Sequence, residues 1–575
     1  MEVRNSLIQS LSRRHLTLVI CVASTSWGLY WACKYSWVCD DAFISFRYAR
    51  NLVEGHGLVF NAGEQVEGYT NFLWTLMLAA GMGLNLDPVW VSIVLSITCY
   101  AGLVAVLLWA SRQAPSGLPC LPFAAIGVLL HHDLQVYATS GLETALFTFL
   151  VTAGVLVLTI PRQPFTRSAG ILLTLAALTR PEGLLVAGLA GLWLLAVAKP
   201  GWKTVLRYAL PLLLVYLPYW IWRFDYYGGW PFPNTYYAKS GDLTYYGQGI
   251  RYLWLYLSTY YVLWAVPFAL AALLWRVVYR RQWADQEGRV LLLAGSLVLL
   301  YTFYVVRVGG DFMFARFLLP ITPLAFVLVE HALGILLTSP CWRWAVAALL
   351  VLAVGLRTQP YEQPRQQHYG ITDEWHHYPP DAVKRAQRDG TTLATYVREP
   401  DMVAGFGGSR AMLVYYANIP TAIEISTGLT DEFVAHQSIP QRQRPGHEKP
   451  APMDYLIKRG ACLSFTDSPP RAPLKRIRFL GPDGTEVRAT INYYDGEYLK
   501  SLQDREGVEF LHLPTWLDDY IKVTLPGVEQ QEVRQLLNFL DDFYFQHNED
   551  PLRRAALLQR IGEVSLPSQE IPGNS

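Results

Sequence analysis

Asp40 and Asp41 stand side by side directly after the first apolar stretch, heading the run DDAFISFRYARNLVEGHGLVFNAGEQVEGYTN. Carboxylates are costly to keep near a bilayer, so two of them at a membrane–water boundary need a reason to be there. Phe43, Phe46 and Ala49-Arg50 recur at helical spacing, which predicts an amphipathic helix lying on the membrane just after the acids. Held in that place, a carboxylate is a general base able to take a proton from a hydroxyl. The other reading is capping, since Asp favours a helix N-terminus. Both readings stand on the sequence.

Four further motifs carry ionisable groups. Glu143 closes Ser140-Gly141-Leu142-Glu143 and begins an apolar stretch, either as its N-cap or as a site residue. In Arg180-Pro181-Glu182-Gly183 the proline marks a helix start. Arg180 and Glu182 are either a local ion pair or an arginine whose planar fork holds a phosphate. Pro231-Phe232-Pro233-Asn234-Thr235-Tyr236-Tyr237-Ala238-Lys239 is a stiff aromatic loop ending in a cation that either binds a ligand or snorkels. Gly309-Gly310-Asp311-Phe312-Met313-Phe314-Ala315-Arg316 adds an acid and an arginine, as a salt bridge or as site residues; its glycines permit close approach or an unusual turn. Acids beside apolar grooves with nearby cations suit transfer of a group from a lipid-phosphate donor. An Asp would take the proton of the acceptor hydroxyl, and the cations would neutralise the leaving phosphate.

The elements that position these groups are membrane spans. The 575 residues are 52% hydrophobic and 16% charged, the composition of an integral membrane protein. Residues 1–356 hold 23 Lys+Arg and 16 Asp+Glu, net +7; residues 357–575 hold 24 and 30, net −6. A basic apolar part followed by an acidic polar part predicts a polytopic α-helical membrane domain (1–357) and a soluble α/β domain (358–575). Nothing in the polar part suggests nucleic acid.

Apolar runs lie near 15–35, 89–110, 120–138, 142–160, 168–180, 183–198, 206–223, 251–275, 290–306, 317–337 and 342–357, about eleven spans. The stretch 71–84 reads as interfacial or re-entrant. Arg13-Arg14 precede the first run, which reads as an anchor. Arg112, Arg162 with Arg167, Lys199 with Lys203 and Arg207, and Arg276 with Arg280-Arg281 fall in alternate loops and mark the cytoplasmic side. The N-terminus is then cytoplasmic, and all five motifs lie on the outer face with the polar tail. Residues after Thr358, rich in Gln, Pro and His, read as a linker, and the last dozen as disordered. Cys21, Cys33, Cys39, Cys99, Cys120, Cys341 and Cys462 show neither a CxxC pair nor metal spacing. Cys33 and Cys39 are close enough in sequence to pair in an oxidising compartment, or are small packing residues.

These motifs together resemble the GT-C superfamily of polyprenyl-phosphate-sugar-dependent glycosyltransferases. More narrowly, the run from Asp40 through NFLW, with SGLE, RPEG, PNTYYAKS and GGDFMFARFLLP, resembles the mycobacterial-type terminal β-(1→2)-arabinofuranosyltransferases. Gly428-Leu429-Thr430-Asp431 and Arg444-Pro445-Gly446-His447-Glu448-Lys449 are similar to that family's outer domain, so the resemblance runs from about residue 36 to 460. It implies an inverting transfer, in one displacement, from a decaprenyl-phosphate-type arabinofuranose to a hydroxyl of a cell-envelope glycan, in a bacterial cytoplasmic membrane. It also implies that Asp41 or Asp40 is the base, with Asp41 favoured. Arg180, Lys239 and Arg316 would face the donor phosphate, and Glu143, Glu182, Asn234 and Asp311 the sugar or acceptor hydroxyls. His447 and Glu448 would line the acceptor groove or dock the outer domain. No cofactor is required, since these cations can neutralise one phosphate, although Asp40-Asp41 is also able to bind a divalent ion.

Rival readings are a GT-C transferase for another polyprenyl-linked sugar, a transporter or flippase of lipid-linked sugar, and an envelope scaffold. A transporter would place ionisable groups near the bilayer midplane and often show inverted repeats. Here the groups cluster at span ends, and no repeat is visible. A scaffold explains the tail but not the acid pair.

Overall fold

The computed structural model describes residues 2–563 apart from 114–120, 161–164, 199–200, 240–242, 281–284, 338, 359, 364–365, 398, 400, 440 and 471. Cys120, Arg162, Lys199, Arg281 and the final dozen residues lie outside the described ones, as do the side chains of Arg13, Arg14 and Arg280. By packing, the chain forms two units: residues 1–382 with 435–448, and residues 383–434 with 449–575. The division thus falls later than residue 357, and a stretch of the polar part belongs to the helical unit.

The helical unit opens with α1 (Glu2–Lys34), α2 (Ala42–Val53), α3 (Phe72–Gly83) and α4 (Pro88–Arg112). Among the described residues five helices are long and apolar enough to cross a membrane: α4, Trp202–Tyr226, Tyr261–Tyr279, Gly288–Val308 and Leu319–Leu336. Helix α4 has 25 residues, about 37 Å at 1.5 Å per residue, against a hydrocarbon core of about 30 Å. Asp87 caps it by accepting from the Trp90 amide at 3.1 Å, with Pro88 in its first turn. Five shorter apolar helices accompany these, α3 among them. Others are α7 (Thr144–Thr159), α8 (Thr166–Thr179) and α9 (Glu182–Trp193), and α7 packs against α4 and α8.

Two expected spans are broken where the sequence carries neither Gly nor Pro. The run 120–138 splits into α5 (Phe123–Leu130) and α6 (His132–Val136), because His131 turns extended and its Nδ1 accepts from the Leu134 amide. The run 251–275 breaks at Tyr260 into Tyr246–Thr259 and the helix from Tyr261. There the Tyr260 ring stacks on His131 at 3.9 Å and its hydroxyl donates to the Asp133 carboxylate. Each break is thus held by the other.

The expected linker after Thr358 carries regular structure from Gln367 on. Strands β1 (Gln367–His368) and β2 (Ile371–Thr372) pair antiparallel, and the Thr372 amide and carbonyl bond to Phe312 and Phe314 at 2.8 and 2.9 Å. Cys33 and Cys39 are both free thiols.

The second unit holds a mixed six-stranded sheet in the order β4-β3-β5-β7-β6-β8, from β3 (Val403–Phe406), β4 (Thr421–Glu424), β5 (Leu463–Phe465), β6 (Arg476–Leu480), β7 (Glu486–Ile491) and β8 (Val508–Phe510). Strand β3 runs parallel to β4 and β5, and the remaining pairs are antiparallel. The period of two is plain in β7, where Val487, Ala489 and Ile491 are buried while Glu486 and Arg488 are exposed. In this unit the Glu424 carboxylate accepts from the amides of Ser426, Thr427 and Gly428 at 2.8–2.9 Å. Asp431 accepts from the Val434 amide and pairs with Arg459 at 2.7 Å, so Gly428–Asp431 is a braced turn.

Candidate active site

Asp41 precedes α2 in a helical conformation, and its side chain makes no capping hydrogen bond. The capping reading therefore fails for Asp41. Asp40 is 2% exposed, and its carbonyl accepts from the Phe43 amide at 3.0 Å. Burial raises the Asp41 carboxyl above its ordinary value; Lys239 and Arg316 pull it down, while Asp311 and Glu143 push it up. The charges acting on Asp41 thus come from three other loops, each of which the sequence singled out.

Glu143 does not cap α7 with its side chain either. Its carboxylate accepts from Arg180 Nη1 at 2.6 Å and from Asn71 Nδ2 at 3.0 Å. Burial pushes this acid up, but Arg180 and then Arg316 hold it low, at about 2. Arg180 also grips Glu182 with Nε at 3.3 Å and Nη2 at 2.9 Å. Three of its five N–H groups are therefore committed to carboxylates.

Arg316 has no such grip. Its ion pairs with Asp311 and Glu143 are 3.6 and 3.7 Å long, beyond hydrogen-bond range, and among the described residues its one hydrogen-bond partner is Met313 Sδ at 3.0 Å. Among the described residues, Arg316 Nε and Asp311 Oδ2 are buried polar atoms with no hydrogen-bond partner. A buried polar atom left in that state costs about 1–3 kcal/mol, and more on a charged group, a cost that a bound ligand would remove. The loop that carries both residues is fixed. Gly309 and Gly310 adopt φ of +94° and +73°, and a Cβ on Gly310 would lie 2.4 Å from the Tyr252 ring. The Tyr252 hydroxyl donates to the Met313 carbonyl at 3.0 Å.

Lys239 closes the short helix Asn234–Ala238, and among the described residues its ammonium makes no hydrogen bond or ion pair. Asn234 is buried, and its amide donates to the Glu67 carbonyl at 3.0 Å. From the segment 435–448, the His447 ring meets Phe312 edge-on at 4.9 Å, and the space beside Gly446 touches Lys239 Cε and Phe312. Glu448 is turned inward on its own loop, accepting from Arg442 Nε and the Gln443 amide, both at 2.8 Å. The geometry thus brings together Asp41, Glu143, Arg180, Glu182, Lys239, Asp311 and Arg316, and makes Glu448 a brace of the loop. Among the described residues no group of three or more His, Cys, Asp or Glu is placed to hold a metal ion.

Three contributors escaped the sequence reading. Asn71, the last residue of VEGYTN, joins Glu143 to Ser45 of α2. Glu374 lies buried in the stretch taken for a linker; Thr372 donates to its Oε1 at 2.7 Å, and its other oxygen has no hydrogen bond among the described residues. Burial and then Asp41 and Asp311 lift its carboxyl to about 7, against the Thr372 bond and Arg444. Arg444 lies 5.3 Å over the Phe312 ring. For Asn71 and Arg444 the quoted motifs were a signal, although neither residue was singled out; for Glu374 only distant pairing reveals it.

No protein-family model matches the chain. A terminal β-(1→2)-arabinofuranosyltransferase of Corynebacterium glutamicum is 30% identical over 352 residues, 55% of this chain and 51% of that protein. The Mycobacterium tuberculosis protein of the same name is 30% identical over 440 residues, 66% of this chain and 67% of that protein. The chain thus spans about half the length of the first relative and two thirds of the second. Among solved structures, ArnT from Cupriavidus metallidurans bound to undecaprenyl phosphate aligns at a TM-score of 0.47 with 13% identity, over 83% of this chain and 97% of that one. The Archaeoglobus fulgidus oligosaccharyltransferase with zinc and sulfate aligns at 0.42 with 12% identity, over 95% and 85%. At 30% identity across two thirds of the mycobacterial protein, the chain belongs to the family of the terminal β-(1→2)-arabinofuranosyltransferases.

Proposed function

We propose that the protein transfers a sugar, arabinofuranose, from a polyprenyl-phosphate donor to a hydroxyl of a cell-envelope glycan, with inversion. The observation that carries this reading is the convergence of Lys239 and Arg316, neither hydrogen-bonded to an oxygen among the described residues, on the carboxylate of Asp41. Asp41 takes the proton of the acceptor hydroxyl as that oxygen bonds to the anomeric carbon. The bond from that carbon to the phosphate oxygen breaks with its electron pair, and the polyprenyl phosphate leaves as a dianion. Arg316 and Lys239 neutralise the charge as it grows. Arg180 acts behind them, holding Glu143 and Glu182 in place for sugar hydroxyls with Asn234 and Asp311, while His447 lines the acceptor side.

In this reading the shorter apolar helices complete about eleven crossings, the N-terminus is cytoplasmic, and the site and the second unit face outward. Two cations suffice for one phosphate, so the mechanism runs without a cofactor. The test is to incubate the purified protein with polyprenyl-phosphate-arabinofuranose and an arabinan-like acceptor, wild type beside Asp41→Asn. Transfer by wild type alone is the expected result. Transfer by both removes Asp41 as base, and transfer by neither moves the search to other polyprenyl-linked sugars. Labelling of a cysteine introduced into the second unit by an impermeant reagent in whole cells or spheroplasts tests the orientation; labelling only after lysis overturns it.

A further inference from the structure

A second ion pair lies outside the set just described. Arg223, near the end of the helix Trp202–Tyr226, donates from Nε at 2.9 Å and from Nη2 at 2.5 Å to Glu67 Oε2. Both side chains are nine-tenths buried or more, at 5% and 4% exposure. The pair also holds both ends of the stretch that leads to Lys239. Arg223 Nη1 donates to the Pro231 carbonyl at 2.9 Å, and the Glu67 carbonyl accepts from the Asn234 amide at 3.0 Å. On its other side Glu67 is tied to α2: the Tyr48 hydroxyl donates to the Val66 carbonyl at 2.6 Å and accepts from the Gly68 amide at 2.8 Å. Hydrogen bonds on both sides of the short backbone segment Val66–Gly68 thus join α2, which Asp41 precedes, to the loop that ends at Lys239.

We infer that Glu67 and Arg223 are positioning residues that fix the distance between the base Asp41, at the start of α2, and the phosphate cation Lys239. The inference rests on the reading of Lys239 as a donor ligand. A buried pair kept only for stability is poorly motivated, because two apolar residues of similar volume hold a fold as well or better. A pair whose spare groups clamp two further backbone positions does what apolar residues are unable to do.

The test is a double-mutant cycle on donor kinetics with polyprenyl-phosphate-arabinofuranose, using Glu67→Gln, Lys239→Ala and the combination. Glu67→Gln keeps an acceptor oxygen but loses the charge. It is expected to raise the donor KM about tenfold, the loss of one charge-assisted hydrogen bond, with acceptor KM unchanged. In the Lys239→Ala background the same substitution is expected to change donor KM by less than about twofold. Arg223→Lys, which keeps the charge but drops the Pro231 bond, gives a milder variant, expected to raise donor KM about threefold. Two results separate the failures. If Lys239→Ala alone leaves donor KM at the wild-type value, the donor reading of Lys239 falls and the positioning role falls with it. If Lys239→Ala raises donor KM while Glu67→Gln and Arg223→Lys lower only the melting temperature, or multiply the Lys239 effect, the positioning role alone is overturned.

Discussion

Arg180 and Arg316 approach the same carboxylate, Glu143, from two different loops, and they use their donors in opposite ways. Arg180 makes three hydrogen bonds to two acids, and rings of Phe147 and Phe317 lie 5.8 and 5.2 Å from its guanidinium. Arg316 is as buried, yet among the described residues it hydrogen-bonds no oxygen and its Nε has no partner. The first is arranged as a finished ion cluster and the second as an unfinished one. Charge, residue type and burial do not separate the two arginines; the state of their donors does. The same contrast holds between Asp311 and Glu424 of the second unit, whose carboxylate collects backbone amides and shapes a turn.

The largest expected effect tests whether the unfinished half is a donor site on its own. Asp41→Asn is expected to lower kcat about a thousandfold, within the range for a general base, with donor binding kept. Loss of donor binding in that variant would merge the two functions and break the comparison. Next come the arginines themselves. Arg180→Ala strands Glu143 and Glu182 and is expected to cost about 3–5 kcal/mol of stability, read from thermal unfolding. Arg316→Ala is expected to raise donor KM tenfold or more, about 1.4 kcal/mol or above, with a melting temperature near wild type. The reverse pattern would exchange the two roles.

A smaller effect concerns pH. The Glu374 carboxyl, lifted to about 7 from an ordinary 4.5, stabilises the fold most in its protonated form. That contribution is whole below about 4.5 and is lost as the pH rises through 7. Melting temperature is therefore expected to fall by a few degrees more between pH 5 and 8 in wild type than in Glu374→Gln; parallel curves would show that the acid is ionised throughout. Smallest is Asn71→Ala, which removes one hydrogen bond from Glu143 and is expected to cost about 1–2 kcal/mol with donor KM unchanged.

Much of this was legible where the signal is local. A helix after Asp41, the two glycines before Asp311 and the long apolar runs such as 89–110 each follow from periodicity or backbone freedom. The helix does not lie on a surface as expected, because its polar residues Ser45, Arg47 and Asn51 are buried along with Phe43 and Phe46. What escaped depends on partners far away in sequence. Arg180 meets Glu143 across 37 positions and Arg223 meets Glu67 across 156. Neither the broken span at Tyr260 nor the order of residues 366–382 could be seen without His131, Asp133 and the Phe312 loop that hold them. A Gln-, Pro- and His-rich stretch reads as a linker until Phe312 and Phe314 supply its hydrogen bonds.

The chain passes from one unit to the other three times, after residues 382, 434 and 448. A single nick inside 383–434 therefore leaves that unit attached from its other side, through Lys449. Shortening the protein at the end of its last apolar run would delete Glu374, Arg444 and His447 together with the sheet. The hydropathy boundary and the packing boundary are not the same place, so a shortened protein that keeps Glu374, Arg444 and His447 has to run through residue 448.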